Sequence, residues 1–371
     1  MAGLVVAGLS VRALAESARD GGFEVAGLDL FGDRDTRAAC RHWQGIGADG
    51  SLRIDPVLFE AALAGLAAEG RFIGWVPGGG FEDELALLEA GGDALPCLGM
   101  ALVEVRRVRT PRSFFGALDR LGIAHPETVF VPPAAPARWL AKRAGGCGGA
   151  QVRHAPAAVA HDSYWQRLQA GTPMSALFLA DGARSLVVGL NEQLVEATDD
   201  RPFMYAGAIG PVQAPGALAE VEAMLARLVP EFGLRGLASL DFIADGTALH
   251  VLEINPRPSA SMQLHADAVP GGLVRAHLDA LGGRLPALAP RTLLRGHRIV
   301  FARAAVDIDD ALSHALAELG GHDIPVRGTH VRAGAPVCSV SAGAGGEPAL
   351  RSLLAQRMAA VQALVARECM A

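Results

Sequence analysis

The chain has 371 residues, 51% hydrophobic and 19% charged, with a formal net charge of −6. This length holds two or three domains, and the composition is that of a packed globular protein, which excludes a disordered one. A general nucleic-acid grip is excluded because Lys and Arg form no basic block, and a membrane-spanning helix because no run approaches 18 apolar residues.

In chain order, residues 4–7 make a short apolar strand, and residues 12–20 a helix stopped by Gly21-Gly22. Residues 24–30 form a second strand. Residues 72–76 form another, running into Gly78-Gly79-Gly80, and residues 82–90 start a helix. Strand–helix–strand alternation at these lengths means a parallel sheet covered by helices. Asp29 lies about where a dinucleotide domain holds its ribose-binding acid. The fingerprint G-x-G-x-x-G is nevertheless missing, since Ser10 and Ala13 stand where glycines are needed.

Residues 110–121 read as a helix, residues 128–131 as a strand, and the proline-rich 132–136 as a stiff loop. A short strand at 139–142 leads into Gly145-Gly146-Cys147-Gly148-Gly149. Residues 215–232 are amphipathic, with Leu218, Val221, Leu225 and Leu228 on one stripe and Gly233 as the stop. Two strands follow at 236–244 and 248–254. The last region carries a strand at 299–302, a helix near 311–319, a strand stretch over 324–341 and a closing helix at 348–367.

The five cysteines (Cys40, Cys97, Cys147, Cys338 and Cys369) are scattered and form no CxxC motif. They read as free thiols of a reducing cytosol. The N-terminus lacks a basic n-region and a cleavage-like site, so a signal peptide is not expected and a cytoplasmic location is.

Lys142 is the single lysine among 33 basic residues. Lys is a compact point charge that sits among phosphates, whereas Arg is a wide planar fork. A glycine-rich loop lets backbone N–H groups approach a phosphate closely. Lys142 beside Gly145, Gly146, Gly148 and Gly149 therefore reads as a phosphate site, although G-x-x-x-x-G-K-[ST] is absent and the bland alternative is a flexible turn.

Asp241 and Glu253 each interrupt an apolar strand. Carboxylates in such places are costly unless paired or bound to metal, and two of them with the Asn255 amide oxygen suit Mg²⁺ or Mn²⁺. The alternative is an ordinary hairpin with Glu253 on its exposed face. A two-residue Asp245-Gly246 turn would pair Ala244 with Thr247 and send Glu253 to the face opposite Asp241. A shared metal requires an odd loop centred on Thr247, which sets Asp241 across from Glu253, with Cβ atoms roughly 4.5–5.5 Å apart.

The run Leu252-Glu253-Ile254-Asn255-Pro256-Arg257-Pro258, with Asp241 twelve residues before Glu253, resembles the metal signature of ATP-grasp ligases. Lys142 with its glycine loop resembles that family's second lysine and loop, and residues 164–171 its adenine-binding hinge. The resemblance implies an α/β protein of the α+β ATP-grasp type. A Rossmann-like domain (1–104) would precede a two-subdomain ATP-grasp fold (105–285) and a C-terminal accessory region (286–371).

The resemblance further implies ATP and Mg²⁺ (or Mn²⁺) as cofactors, with Asp241, Glu253 and Asn255 as metal ligands. Lys142 would contact phosphate and adenine, and Arg167, Leu168 and Gln169 would read the adenine edge. Arg257 would stabilise the transferred phosphoryl group. Arg112 stands where the family has its first basic residue. Two departures stand out: Arg167 replaces a common glutamate, and residues 172–175 lack a ribose-binding acid.

Residues 12–18, 29–37 and 175–182 resemble tyramine–glutamate ligases and proteins of methanofuran and tetrahydromethanopterin biosynthesis. That closer resemblance implies small-molecule carboxylate and amine substrates, with Asn191, Glu192 and Tyr205 toward the acceptor. No nucleic-acid or membrane partner is expected, and a homodimer is an open possibility. The competing readings are a non-catalytic nucleotide-binding protein and a carboxylase-like enzyme, which could not itself carry biotin because it has no Met-Lys-Met site.

Overall fold

Alternating strands and helices at the start of the chain build a four-stranded parallel sheet in the order His42–Gly45, Glu24–Asp29, Gly3–Ala7, Phe72–Pro77. The computed structural model describes residues 1–48, 52–82, 84–146, 148–155, 162–197, 201–291 and 293–368; Cys147 and Cys369 lie outside them. Leu4, Val5 and Val6 are wholly buried, as expected of a parallel strand covered on both faces. The first helix is Arg12–Asp20, as the sequence indicates.

Asp29 is no ribose acid. It is wholly buried and accepts hydrogen bonds from the N–H groups of Val11, Phe31 and Gly32 and from Trp43 Nε1. Its capacity is spent on shaping the turn after its own strand.

The second sheet has eight strands. In order they are Leu249–Asn255, Arg235–Ala244, Thr172–Asp181, Ser185–Glu196, Met204–Gly210, Leu294–Phe301, Pro336–Ala344 and Gly321–His322. Strand Thr172–Asp181 packs Ala176 and Phe178 against the helices Pro111–Leu121 and Pro215–Phe232. Its alternate residues Leu177 and Leu179 face Arg12–Asp20 and Gly272–Leu281. Burial on both faces removes the polar alternation that marks a strand in sequence. A small sheet of Thr128–Val129, Ser163–Arg167, Trp139–Arg143 and Arg153–His154 carries Lys142 and Arg167.

Several boundaries differ from expectation. The strand at 299–302 is Leu294–Phe301, and it pairs with Met204–Gly210, so the last region continues the central sheet. The stretch 324–341 holds two strands, His330–Val331 and Pro336–Ala344. The helix expected at 82–90 is Leu85–Ala94, because Glu82 is drawn to Arg257 and Gly80. In Pro215–Phe232, Val221, Leu225 and Leu228 are buried but Leu218 is exposed, and Met224, Val229 and Phe232 complete the stripe.

Candidate active site

Asp241 and Glu253 face each other across an antiparallel pair, with Ser239 opposite Asn255 one step further on. The expected pairing is present but is reached by another route. Ala244 pairs with Leu249, so the loop is the four-residue 245–248 and not an odd one centred on Thr247. A bulge between Asp241 and Phe242, opposite the stretch from Val251 to Glu253, shifts the register and brings the two acids level. The tip is held by Asp245, which accepts from Thr247 N–H, Thr247 Oγ1 and Ala248 N–H.

Each group of this acidic hairpin has its own partner. Glu253 pairs with Arg109 Nη1 at 3.0 Å. Asn255 donates to Asp241 at 3.2 Å. Arg257 Nε bonds Glu82 at 2.5 Å, and Glu82 also accepts from Gly80 N–H at 2.6 Å. Burial alone would raise the Glu82 carboxyl, but Arg257 and Arg109 outweigh it and hold that carboxyl below the usual range. Gln193 and Asn255 bond Asp241 and the charge of Arg257 draws its carboxyl down, but they do not offset burial. Burial first, and then the charge of Glu253, push its carboxyl up to about 7.

A divalent cation fits this arrangement. It would relieve the repulsion that raises Asp241, and the two carboxylates and one amide oxygen are hard donors. Among the described residues no group of three or more His, Cys, Asp or Glu could hold a metal. The protein set is therefore short, which suits an ion that completes its shell with phosphate oxygens and water.

Arg109, which the sequence did not single out, is the buried basic residue beside Glu253. It is 8% exposed and donates to the carbonyls of Ala144 and Gly146 at 3.0 and 2.9 Å, so it ties the glycine loop to Glu253. Arg112 is exposed, with its guanidinium 4.2 Å over the Phe130 ring. The signal for Arg109 is helical spacing: it falls four residues after Val105 and one after Val108, on the buried face of Leu102–Arg109.

Lys142 Nζ donates to Gln166 at 2.9 Å. Burial lowers its pKa, while the charges of Glu253 and Asp241 work against that lowering. Two of the loop glycines are sterically required: a Cβ on Gly146 would meet the Gln151 side chain, and one on Gly149 the Phe203 carbonyl. Gly145 lies between these two contacts and Lys142. Gly148 accepts from Tyr205 N–H at 2.9 Å, which fastens the loop to Met204–Gly210. At the hinge, Arg167 pairs with Glu127 at 3.1 Å and lies over Trp139. Leu168 N–H is given to the Arg138 carbonyl at 2.8 Å, which leaves its carbonyl as the backbone group toward an adenine edge. Gln169 reaches Asp245 at 3.4 Å.

A cavity of about 400 Å³ opens beside the hairpin. Asp241, Glu253, Asn255, Arg257, Gly148 and Tyr205 line it, together with Ser10 and Asp33 of the first domain and His297, Asp323 and Ser339 of the last region. Tyr205 OH lies 3.0 Å from His297 Nε2, and burial pulls that histidine down to about 4. Asn191 and Glu192 do not reach the cavity. Asn191 is wholly buried, bonded to His265 and Ser175, while Glu192 pairs with Arg351 of the last helix.

A family model described as the ATP-grasp domain matches residues 112–261, the stretch that holds Lys142, Asp241, Glu253, Asn255 and Arg257. Residues 112–261 are thus similar to the ATP-grasp domain. The carbamoyl phosphate synthase large chain of Deinococcus radiodurans is 27% identical over 261 residues, 63% of this chain and 25% of that protein. The corresponding Brucella suis protein is 27% identical over 183 residues, 41% of this chain and 16% of its own length. The chain thus spans a quarter or less of these curated relatives.

Solved structures extend the likeness of fold beyond the ATP-grasp domain. The biotin carboxylase of Campylobacter jejuni superimposes with a TM-score of 0.70 at 11% identity over 94% of this chain and 89% of that one. The L-amino acid ligase of Bacillus licheniformis gives 0.69 at 12% over 96% and 97%. The N5-carboxyaminoimidazole ribonucleotide synthetase of Thermotoga maritima gives 0.67 at 13% over 97% and 98%. The α+β ATP-grasp fold expected from the sequence is therefore present. Among the described residues no helix is long and apolar enough to cross a membrane.

Proposed function

We propose that the protein is an ATP-dependent carboxylate–amine ligase working through an acyl-phosphate. The observation that carries this reading is the acidic hairpin: Asp241 and Glu253 stand level with Asn255 beside them, at the wall of a cavity large enough for a small substrate. A protein that only binds nucleotide has no need of such a set at the wall of a substrate-sized cavity.

In this reading a substrate carboxylate oxygen attacks the γ-phosphorus of ATP, and the bond to the departing ADP breaks. The amine nitrogen then attacks the acyl carbon, phosphate leaves with the electron pair, and the nitrogen loses its proton. Asp241, Glu253 and Asn255 would hold Mg²⁺, or Mn²⁺, which neutralises charge on the β- and γ-phosphates when bound. Arg257 lines the cavity and would face the charge that develops on the transferred group, with Glu82 fixing its orientation through Nε. Lys142 would supply a point charge toward phosphate. Gly145, Gly146, Gly148 and Gly149 would cover the acyl-phosphate against water, held through Arg109 and Tyr205.

The substrates belong to the same proposal: small-molecule acids and amines of the glutamate and tyrosine type, joined in C1-carrier cofactor biosynthesis. So do a cytoplasmic location, a homodimer and the division at 104 and 285. A solved neighbour that is an L-amino acid ligase supports amide formation. The carboxylase neighbours favour a second reading, in which bicarbonate is the acid that is phosphorylated.

The test is ADP release from Mg-ATP with panels of acids and amines. Release that requires one acid and one amine together supports the ligase. Release driven by bicarbonate alone supports the second reading. ATP binding without stimulated turnover by any pair counts against both.

A further inference from the structure

The far end of the cavity carries a carboxyl with no partner. Asp33 lines the cavity and is 6% exposed. It stands at the N-cap of the helix Arg34–Ala39, where an aspartate ordinarily accepts from the second or third helical N–H, yet its side chain makes no such bond. Among the described residues no hydrogen bond or ion pair reaches it.

Its neighbours are all spent. Asp29 accepts four bonds, as described above. Asp35 takes the N–H groups of Asp323 and Ile324 at 2.7 and 3.2 Å. Asp323 holds Arg12 Nε at 2.7 Å and the Ser339 hydroxyl. Arg12 is itself saturated by Asp323, by Glu16 at 3.0 Å and by Gln263 at 2.8 Å. His297 and His322 are both pulled down by burial and contribute no positive charge near neutrality.

We propose that the substrate held in this cavity carries a cationic amino group, and that Asp33 takes it in a charge-assisted hydrogen bond away from the reacting end. The inference rests on the reading of the cavity beside the acidic hairpin as the substrate site. A cation suits this end because Asp29, Asp35 and Asp323 stand against Asp33 with one guanidinium, Arg12, among them. An uncharged body suits the apolar part of the lining, to which Leu9, Phe31, Met262, Ile299 and Val337 belong. Asp33 is thus a specificity-determining residue whose ligand is an organic ammonium ion with an apolar body.

Burial, and then Asp323, Asp29 and Asp35, push the Asp33 carboxyl up to about 8. An empty site is therefore protonated at neutral pH, and docking an ammonium ion expels that proton.

The test uses the full chain without ATP or metal, so it stands apart from turnover. Phenethylammonium is titrated calorimetrically against 2-phenylethanol, its neutral counterpart. Wild type is expected to prefer the cation by about tenfold, the effect of roughly 1.4 kcal/mol from one charge-assisted bond. Asp33→Asn should abolish the preference, while Asp245→Asn at the exposed hairpin tip keeps it. Binding in buffers of different ionisation enthalpy should show proton release at pH 7, a readout that needs no variant should Asp33→Asn fail to fold. Equal binding of the two probes overturns the inference. So does no binding of the cation, a preference that survives Asp33→Asn, or binding without proton release. If the cation preference stands while no acid–amine pair stimulates ADP release, the ligase reading fails alone.

Discussion

The acidic hairpin and the Arg12–Asp323 clasp border the same cavity and are assembled in opposite ways. The hairpin gathers Asp241, Glu253 and Asn255 from one short stretch of chain, on two strands bonded directly to each other. The clasp joins residues 311 positions apart: Arg12 to Asp323 by side chains, Asp35 to the Asp323 and Ile324 N–H groups, and Arg34 N–H to the Ile324 carbonyl. In the hairpin, burial and Glu253 outweigh Arg257 at Asp241, so charge is held ready for a ligand. In the clasp the carboxylates are paired within the protein, so charge holds the first domain to the last region. The lesson is that one cavity combines a wall kept reactive with a wall kept rigid, and variants should separate the two.

The largest effect is expected at the hairpin. Glu253→Gln should lower ADP release by about 10²-fold or more while the protein remains folded, because it removes a transition-state contact and keeps the shape. Turnover near wild type would erase the distinction between the walls. Arg12→Ala should act the other way. It leaves buried carboxylates unpaired, and denaturant unfolding should show a loss of about 3 kcal/mol. Its kcat, measured below the new melting point, should change little. Arg109→Lys lies between the two classes, since it keeps the charge but cannot grip Glu253, Ala144 and Gly146 together. It should raise the KM for ATP about tenfold through a looser glycine loop.

A smaller effect sharpens the comparison through pH. Burial would raise the Asp323 carboxyl, but Arg12 outweighs burial and holds it low. A carboxyl depressed in the fold contributes stability that is complete above its unfolded value and is lost as pH falls through the folded one. The stability gap between wild type and Asp323→Asn should therefore be full above about pH 5 and shrink below about pH 4. Asp33 is raised to about 8, so its sign is opposite. Its contribution is complete below the unfolded value of about 4, falls as pH rises from there and is gone above about 8, so Asp33→Asn should gain on wild type between those values and keep that gain in alkali. The least effect is expected from Asp245→Ala at the exposed hairpin tip. The bulge and not the tip sets the Asp241–Glu253 pairing, so turnover should stay unchanged while the melting temperature falls slightly.

The hairpin was legible because two carboxylates interrupt neighbouring apolar strands and a shared metal requires them level, although counting from an Asp245-Gly246 turn alone would separate them. The route to that pair was not legible. A bulge is a backbone choice, and the odd loop expected around Thr247 is an equally good solution to the same count. Arg109 and Glu82 escaped because each meets its partner over a long separation, 144 residues to Glu253 and 175 to Arg257. For Asn191 the closer family resemblance implied a place toward the acceptor, and the structure sets it in a buried network with His265 and Ser175. Strand Thr172–Asp181 left no period to read because both its faces are covered.

The central claim is that the acidic hairpin holds Mg-ATP, and calorimetric binding of ATP tests it without knowledge of the substrates. Wild type should bind ATP in Mg²⁺ and much more weakly in EDTA, and Asp241→Asn should bind with little dependence on the metal. Binding that is equal with and without Mg²⁺ in wild type, or no binding of ATP at all, would contradict the account.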